Sequence, residues 1–263
     1  MRKGWIRNAA LALAVSVGMA GAAQAQTVED IVKAGTLKVG MLVDLPPFGM
    51  QQTDGSVQGL DADVARLMAK YLGVKAEIIP VTGPNRIPYL LTNKVDVLVA
   101  TFGITPERAK QVSFSIPYSE IEMVVIASKD KPITSFETTA NQRIAVPRAA
   151  TSDMALTQYA PKETKILRFD DDASAAQALI AGQADALGTN GLILEQLQKD
   201  NPKLELEKKF VLSRQYQGVT LRKGADDLLK WTNTFIYYVK NSGELDAINR
   251  KWLKQPLNPL PTF

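Results

Sequence analysis

The 263-residue chain has no cysteine and no histidine. Without cysteine there is no disulfide framework, so stability must come from core packing alone. Without histidine there is no Ser-His-Asp or Cys-His machinery and no histidine-liganded metal centre. Any enzyme built from this chain works with carboxylates, lysines or hydroxyls. Net charge is scarce too. The chain carries 31 basic and 27 acidic residues. Arg2, Lys3 and Arg7 lie in the first 25 residues with no acid among them, so removing that segment leaves 28 basic against 27 acidic residues, a net +1. A chain so close to neutral lacks the concentrated basic surface that nucleic-acid binding needs. Long apolar runs are absent as well. Ala9 to Ala23 is Ala-rich but shorter than the ~20 residues a bilayer span requires, and nothing later is longer.

The first 25 residues therefore read as an export leader. A basic start is followed by the apolar run and by Ala23-Gln24-Ala25, the small-x-small pattern of a signal-peptidase site, with cleavage expected after Ala25. With 46% hydrophobic residues, the remainder is enough for one large core or two modest ones.

Periodicity then alternates. Thr27 is expected to cap a helix over VEDIVKAG, ended by Gly35. LKVGMLV reads as a buried strand and DLPPF as a stiff loop. LDADVARLMAKYLG has helical spacing, with Asp61 as the expected cap. KAEIIPV is a strand, Asn85 is expected to cap RIPYLLTN, and VDVLVAT is a further strand. MVVIAS, RIAV, KILRF and ADALGT continue the strands. Helices from about Thr151, over DASAAQALIAG and over LILEQLQKD lie between or after them. QGVTLRK leads into two closing helices. The alternation predicts an α/β fold with mainly parallel sheets. Crossings near Ser128 and Gly218 suggest two lobes: residues 26–128 plus 219–263, and residues 129–218.

The stretch TFGITPERAKQVSFSIPY, starting at Thr101, ends a strand and turns through Phe102-Gly103 into a short helix. Ligands in open α/β sheets sit beyond the carboxyl ends of strands. A helix N-terminus there favours an anion, and the planar fork of Arg108 suits a carboxylate. By itself the motif fits a surface helix with an ordinary arginine better.

Together with PPF, GLDADVARLMAKYLG, KVDVLVA, ALIAGQADA, LRKG and INRKW, in that order, the stretch resembles the family 3 extracellular solute-binding proteins, the amino-acid receptors of ABC importers. The resemblance spans the chain after the leader. It implies a type II periplasmic-binding fold, two lobes closing on a ligand, and delivery to the membrane subunits of an ABC permease. It also implies a periplasmic monomer without cofactor or metal. Arg108 then matches the arginine that holds the ligand carboxylate. Thr101 and Gly103 match positions that hydrogen-bond the ligand, and Phe102 lies between them. Thr151 matches the second-lobe contact, although Ala149 and Ala150 stand where the family has Gly and Thr. Asn190 stands where the family usually has the Asp that binds the ligand ammonium, so Asp44 or, less readily, Asp185 would have to compensate, or the ligand has no α-amine. Arg86, in NRIP, resembles a glutamate/aspartate-type arginine, and Arg148 adds positive potential. Leu42 and Leu45 depart from the basic and aromatic residues of relatives. The expected ligand is a polar, acidic-leaning amino acid. Two alternatives remain open: a carboxylate lacking an α-amine, and a cyclohexadienyl-dehydratase-like enzyme using Asp44. A signalling role would need a separate partner chain. RFDDD, at a helix start, reads as acids favouring the helix dipole rather than as a metal site.

Overall fold

The computed structural model describes residues 27–262. The expected leader and its cleavage site lie outside them. Thr27 forms a capping box with Asp30 and starts α1 (Val28–Ala34), which stops at Gly35. In chain order there follow β1 (Thr36–Met41), β2 (Asp44–Leu45), β3 (Gly49–Gln51), β4 (Val57–Gln58), α2 (Leu60–Leu72), β5 (Lys75–Pro80), α3 (Arg86–Leu91), β6 (Val97–Leu98) and α4 (Pro106–Ala109). The long strand β7 (Val112–Ser128) leads to β8 (Arg143–Pro147), α5 (Thr151–Tyr159), β9 (Lys165–Phe169), α6 (Asp172–Ile180), β10 (Ala186–Asn190) and α7 (Leu194–Asp200). A second long strand, β11 (Leu206–Arg222), precedes α8 (Asp226–Asn241) and α9 (Glu244–Leu253).

Eight strands form one sheet in the order β5-β1-β6-β11-β7-β10-β8-β9, and β2, β3 and β4 form a small antiparallel sheet beside it. β5, β1 and β6 are parallel, as are β10, β8 and β9. Between these two parallel groups runs an antiparallel ribbon of β7 and β11, each 17 residues long. One end of the ribbon joins β6 through Thr220 of β11, and the other joins β10 along Met123 to Ala127 of β7. Register shifts at Gln217–Gly218 and Gly218–Thr220 interrupt the ladder between those ends. Such irregularities bend and twist a ribbon.

The first parallel group packs its apolar strand residues, such as Leu37, Val39 and Met41, with the apolar faces of α2 and α8. A separate cluster of Leu90, Leu98, Ala100, Phe102 and Phe114 lies on the other side, under α3 and α4. Leu187, Ala145, Ala178 and Leu179 form the corresponding cluster under α6.

Two expected caps are not caps. α2 starts at Leu60 after Gly59, and Asp61 is fully buried, accepting from the Thr101 N–H at 2.6 Å, Thr101 Oγ1 at 2.8 Å and Tyr118 Oη at 2.8 Å. A carboxylate with three tertiary donors has no reason to turn back to its own helix. Asn85 does precede α3, but its side chain accepts from the Thr82 N–H instead of capping the helix. The DLPPF stretch opens with β2 rather than being loop throughout.

Candidate functional site

β5 and β6 run parallel, and the chain leaves the carboxyl end of each into a helix that starts with an arginine or carries one in its first turn. Arg86 is the first residue of α3; Arg108 is in α4, where Thr105 Oγ1 accepts from its N–H at 3.3 Å. Both side chains are buried, 4% and 6% exposed. Each guanidinium carbon lies 4.1 Å from the centre of the Phe102 ring. The ring's negative face offsets part of the desolvation of a cation. Phe102, expected among the ligand contacts, is therefore the platform that holds both arginines; it is buried against Phe114 and does not line the cavity.

The two arginines reach across to the second parallel group. Arg86 Nη2 and Arg108 Nη2 both donate to the Ala149 carbonyl, at 3.0 and 2.8 Å. Arg108 Nη1 donates to the Gly103 carbonyl at 2.7 Å and to Thr151 Oγ1 at 3.3 Å. Arg86 Nη1 donates to the Ala100 carbonyl at 3.4 Å. All these acceptors are neutral; neither arginine forms an ion pair with a carboxylate among the described residues. Burial holds Arg86 down to about 10, with Asp172 opposing the shift. Burial, and then the charge of Arg86, holds Arg108 well below the usual guanidinium range. Two cations side by side in a dry site are a standing demand for an anion.

The cavity between the groups is about 30 Å³ and is lined by both arginines, Thr101, Thr151, Asn190 and Gln215, with Leu42 and Leu45 as an apolar wall. Asp172 and Met123 also face it. Backbones approach closely at its rim: a Cβ on Gly83 would collide with the Arg148 carbonyl. A Cβ on Gly103 would come 2.6 Å from Gln215 Oε1, the end of a side chain that can shift, so of the two only Gly83 faces a backbone clash. A larger open groove of about 360 Å³ lies along the middle of the ribbon. Its ions satisfy one another, Glu122 pairing with Lys208 and Arg214, so it makes no comparable demand.

Of the residues expected at the site, Arg86, Arg108, Thr101, Thr151 and Asn190 line this one cavity. Thr101 spends both its N–H and its hydroxyl on Asp61, leaving only its carbonyl to the cavity side, where Gln215 Nε2 donates at 3.4 Å. Four further expectations change. Asp44 does not line the cavity; its carboxylate accepts from the N–H groups of Asp172 and Ala173 at 2.8 and 3.1 Å, at the start of α6. Arg148 borders the cavity, but its guanidinium turns outward to Asp170 at 3.1 Å and the Arg168 carbonyl. Asp185 is held by Arg143 and Lys131, which push its carboxyl well below the usual range. Gly103 contributes its carbonyl to Arg108 and does not itself line the cavity.

Asp172 and Gln215 were not expected. Burial first, then Asp44, pushes the Asp172 carboxyl up to about 7; Arg86 opposes the shift and Asp171 adds to it. Asp172 lay in the acidic RFDDD run at a helix start, where any of three acids could serve the dipole. Of these, Asp171 caps α6 through Ser174 and Asp170 pairs with Arg148.

Residues 37–255 match the family model of bacterial extracellular solute-binding proteins, family 3. The ABC transporter glutamine-binding protein GlnH of Bacillus subtilis is 33% identical over 254 residues, covering 93% of this chain and 92% of that protein. The solved solute receptor for L-cysteine of Neisseria gonorrhoeae superposes with a TM-score of 0.81 at 34% identity, covering 87% of this chain and 94% of that one. An ancestral amino acid-binding protein, AncCDT-1, described as a precursor of cyclohexadienyl dehydratase, superposes with a TM-score of 0.77 at 35% identity, covering 86% and 99%. The architecture is the type II periplasmic-binding fold, with the cavity at its cleft. The chain belongs to the bacterial extracellular solute-binding proteins of family 3.

Proposed function

We propose that this chain is the exported binding component of an ABC importer, closing on a small amino acid or related carboxylate and presenting it to a membrane permease. The observation that carries this is the pair of buried arginines, Arg86 and Arg108, whose bonds in the cleft all go to neutral oxygens. A ligand carboxylate replaces the Ala149 carbonyl on both forks, exchanging neutral hydrogen bonds for charge-assisted ones, which are about twice as strong. Two cations against one perturbed carboxyl favour a ligand with net negative charge. Residues 26–128 with 219–263 then form one jaw and 129–218 the other. The irregular middle of the β7–β11 ribbon is the hinge between them. The leader supports export, and no helix among the described residues is long and apolar enough to cross a membrane. Closure needs only that the ligand bind the closed form more tightly than the open one.

The test is calorimetry of the purified protein with amino acids and small mono- and dicarboxylates. Arg108→Ala should weaken binding about 10- to 100-fold, the value of one charge-assisted pair of bonds. Arg86→Ala should weaken dicarboxylates more than monocarboxylates. Carboxylate binding that survives both substitutions unchanged would refute the assignment of the cleft. A second reading, a dehydratase on the same scaffold, is favoured by one observation: the cavity contains a carboxyl, Asp172, pushed up to about 7. An acid near operating pH suits proton transfer. Prephenate and arogenate incubated with the protein decide it, since a pure binder leaves both intact.

A further inference from the structure

β10 ends at Asn190, in register with Met123 of β7, and the chain turns at once into a 3-10 turn, Gly191–Ile193. The Leu192 N–H donates to Asn190 Oδ1 at 3.0 Å. An N–H only donates, so this bond fixes which end of the amide is oxygen. The other end, Nδ2, is a donor. The side chain is 1% exposed and lines the cavity, and Nδ2 has no hydrogen-bond partner among the described residues. Buried donors without partners are rare in folded proteins, and one aimed into a cleft calls for an acceptor.

The rest of the cavity reinforces that demand. Both arginines donate towards it. Its side-chain and carbonyl acceptors include the Thr101 carbonyl and the Thr151 hydroxyl, both already engaged, Gln215 Oε1, neutral, buried and unpartnered, and the Asp172 carboxyl, which shares its surroundings with Asp44 and Asp171. An ammonium placed at Asn190 meets the donor end of an amide and two guanidinium charges. An oxygen placed there accepts from Nδ2, and a hydroxyl elsewhere on the ligand has Gln215 Oε1 to donate to. Asn190 and both arginines line the same cavity.

Resting on the cleft assignment above, we infer that Asn190 selects for an oxygen acceptor next to the ligand carboxylate. The site takes 2-oxo and 2-hydroxy carboxylates in preference to amino acids of the same skeleton. A side-chain amide that reads its ligand through a single unpaired donor discriminates by leaving that donor unsatisfied with the wrong ligand.

The experiment is calorimetry on protein unfolded and refolded to remove carried-over ligand. The probes are matched sets: L-glutamate, 2-oxoglutarate and 2-hydroxyglutarate; L-alanine, pyruvate and lactate. The oxo or hydroxy member of at least one set should bind about tenfold more tightly than its amine counterpart, as one buried hydrogen bond gained or lost implies. Asn190→Asp keeps an acceptor for the Leu192 N–H and puts a carboxylate where the donor was, so it should invert that preference. A wild-type preference for the amine overturns the inference, and so does a preference that Asn190→Asp leaves unchanged. The wild-type ratio decides the matter even if the variant does not fold. If amino acids bind more tightly and Arg108→Ala abolishes their binding, the cleft assignment stands and this inference alone fails. If no carboxylate of any set binds, both fail.

Discussion

Thr101 and Ala149 have positive φ, 48° and 60°, and neither is glycine. For a β-branched residue such as Thr101 this is a true outlier. The Asp61 carboxylate holds it there by taking both its N–H and its hydroxyl. Backbone strain of this sort persists only where the surroundings over-determine it. Ala149 has a weaker tether, its N–H donating to Asp153 Oδ2 at 3.1 Å, while its carbonyl serves both arginines. Ala149→Gly should therefore stabilise the protein by about 1 kcal/mol, because glycine adopts this φ without a Cβ clash. Thermal unfolding should show a rise of roughly 2–4 °C for a chain of this size. A fall in melting temperature would mean that the position is not strained. Such residues show how far a sequence can be read. Arg86, Arg108, Thr151 and Asn190 were singled out through the resemblance to family 3, since periodicity marks the strand ends beside them but the motif around Arg108 alone fits a surface helix better. Asp61 looked like a helix cap because local pattern does not reveal that Thr101 and Tyr118, 40 and 57 residues away, come to meet it.

At the scale of elements, the contact between β2 and α6 joins the two proposed jaws at the edge of the cavity, which Leu45 and Asp172 line. α6 presents its first N–H groups, and Asp44 supplies the negative charge they favour. On the proposed division into jaws, the partners of these two bonds belong to different jaws, so opening breaks both. Asp44→Ala should shift the open–closed equilibrium towards open. Affinity should fall about 10-fold or more for every ligand alike, the worth of one or two charge-assisted bonds. Small-angle scattering of the ligand-free variant should show a larger radius of gyration than the wild type. A loss confined to some ligands would make Asp44 a ligand contact after all. Asp44 and the start of α6 were each singled out in the sequence, but their contact was not, because it depends on how two distant loops meet. The ribbon was only half legible for a related reason. The end of β11 was expected from QGVTLRK, but its first half, Leu206 to Ser213, is half polar with no strict alternation and becomes a strand by pairing with β7. Gln215 lies in the stretch between, so the cavity's neutral acceptor went unnoticed.

For the whole molecule, the proposed closing is an equilibrium between two arrangements of the jaws, and any group whose proton affinity differs between them couples closure to pH. Asp172 is such a group. In the closed form its carboxyl is pushed up to about 7, by burial first and then by Asp44. Opening withdraws α6 from Asp44 and returns water, so the carboxyl goes back to its ordinary value of 3.8. The protonated acid is thus favoured by the closed form. Closure is easiest below the ordinary value, weakens as pH rises from about 4 to about 7, and is flat above that. Asp61, pushed up to about 6, is a different case. Its partners Thr101 and Tyr118 do not cross the cleft, so it titrates with unfolding rather than with closure. Binding measured between pH 5 and 8 should therefore weaken as pH rises towards 7, by up to about tenfold per pH unit, the limit set by uptake of one proton, and level off above it. Calorimetry in buffers of different ionisation enthalpy should detect that proton directly. Asp172→Asn should abolish both the slope and the proton uptake while leaving the pH dependence of thermal unfolding due to Asp61 in place. An unchanged slope in Asp172→Asn would place the coupled group elsewhere in the cleft.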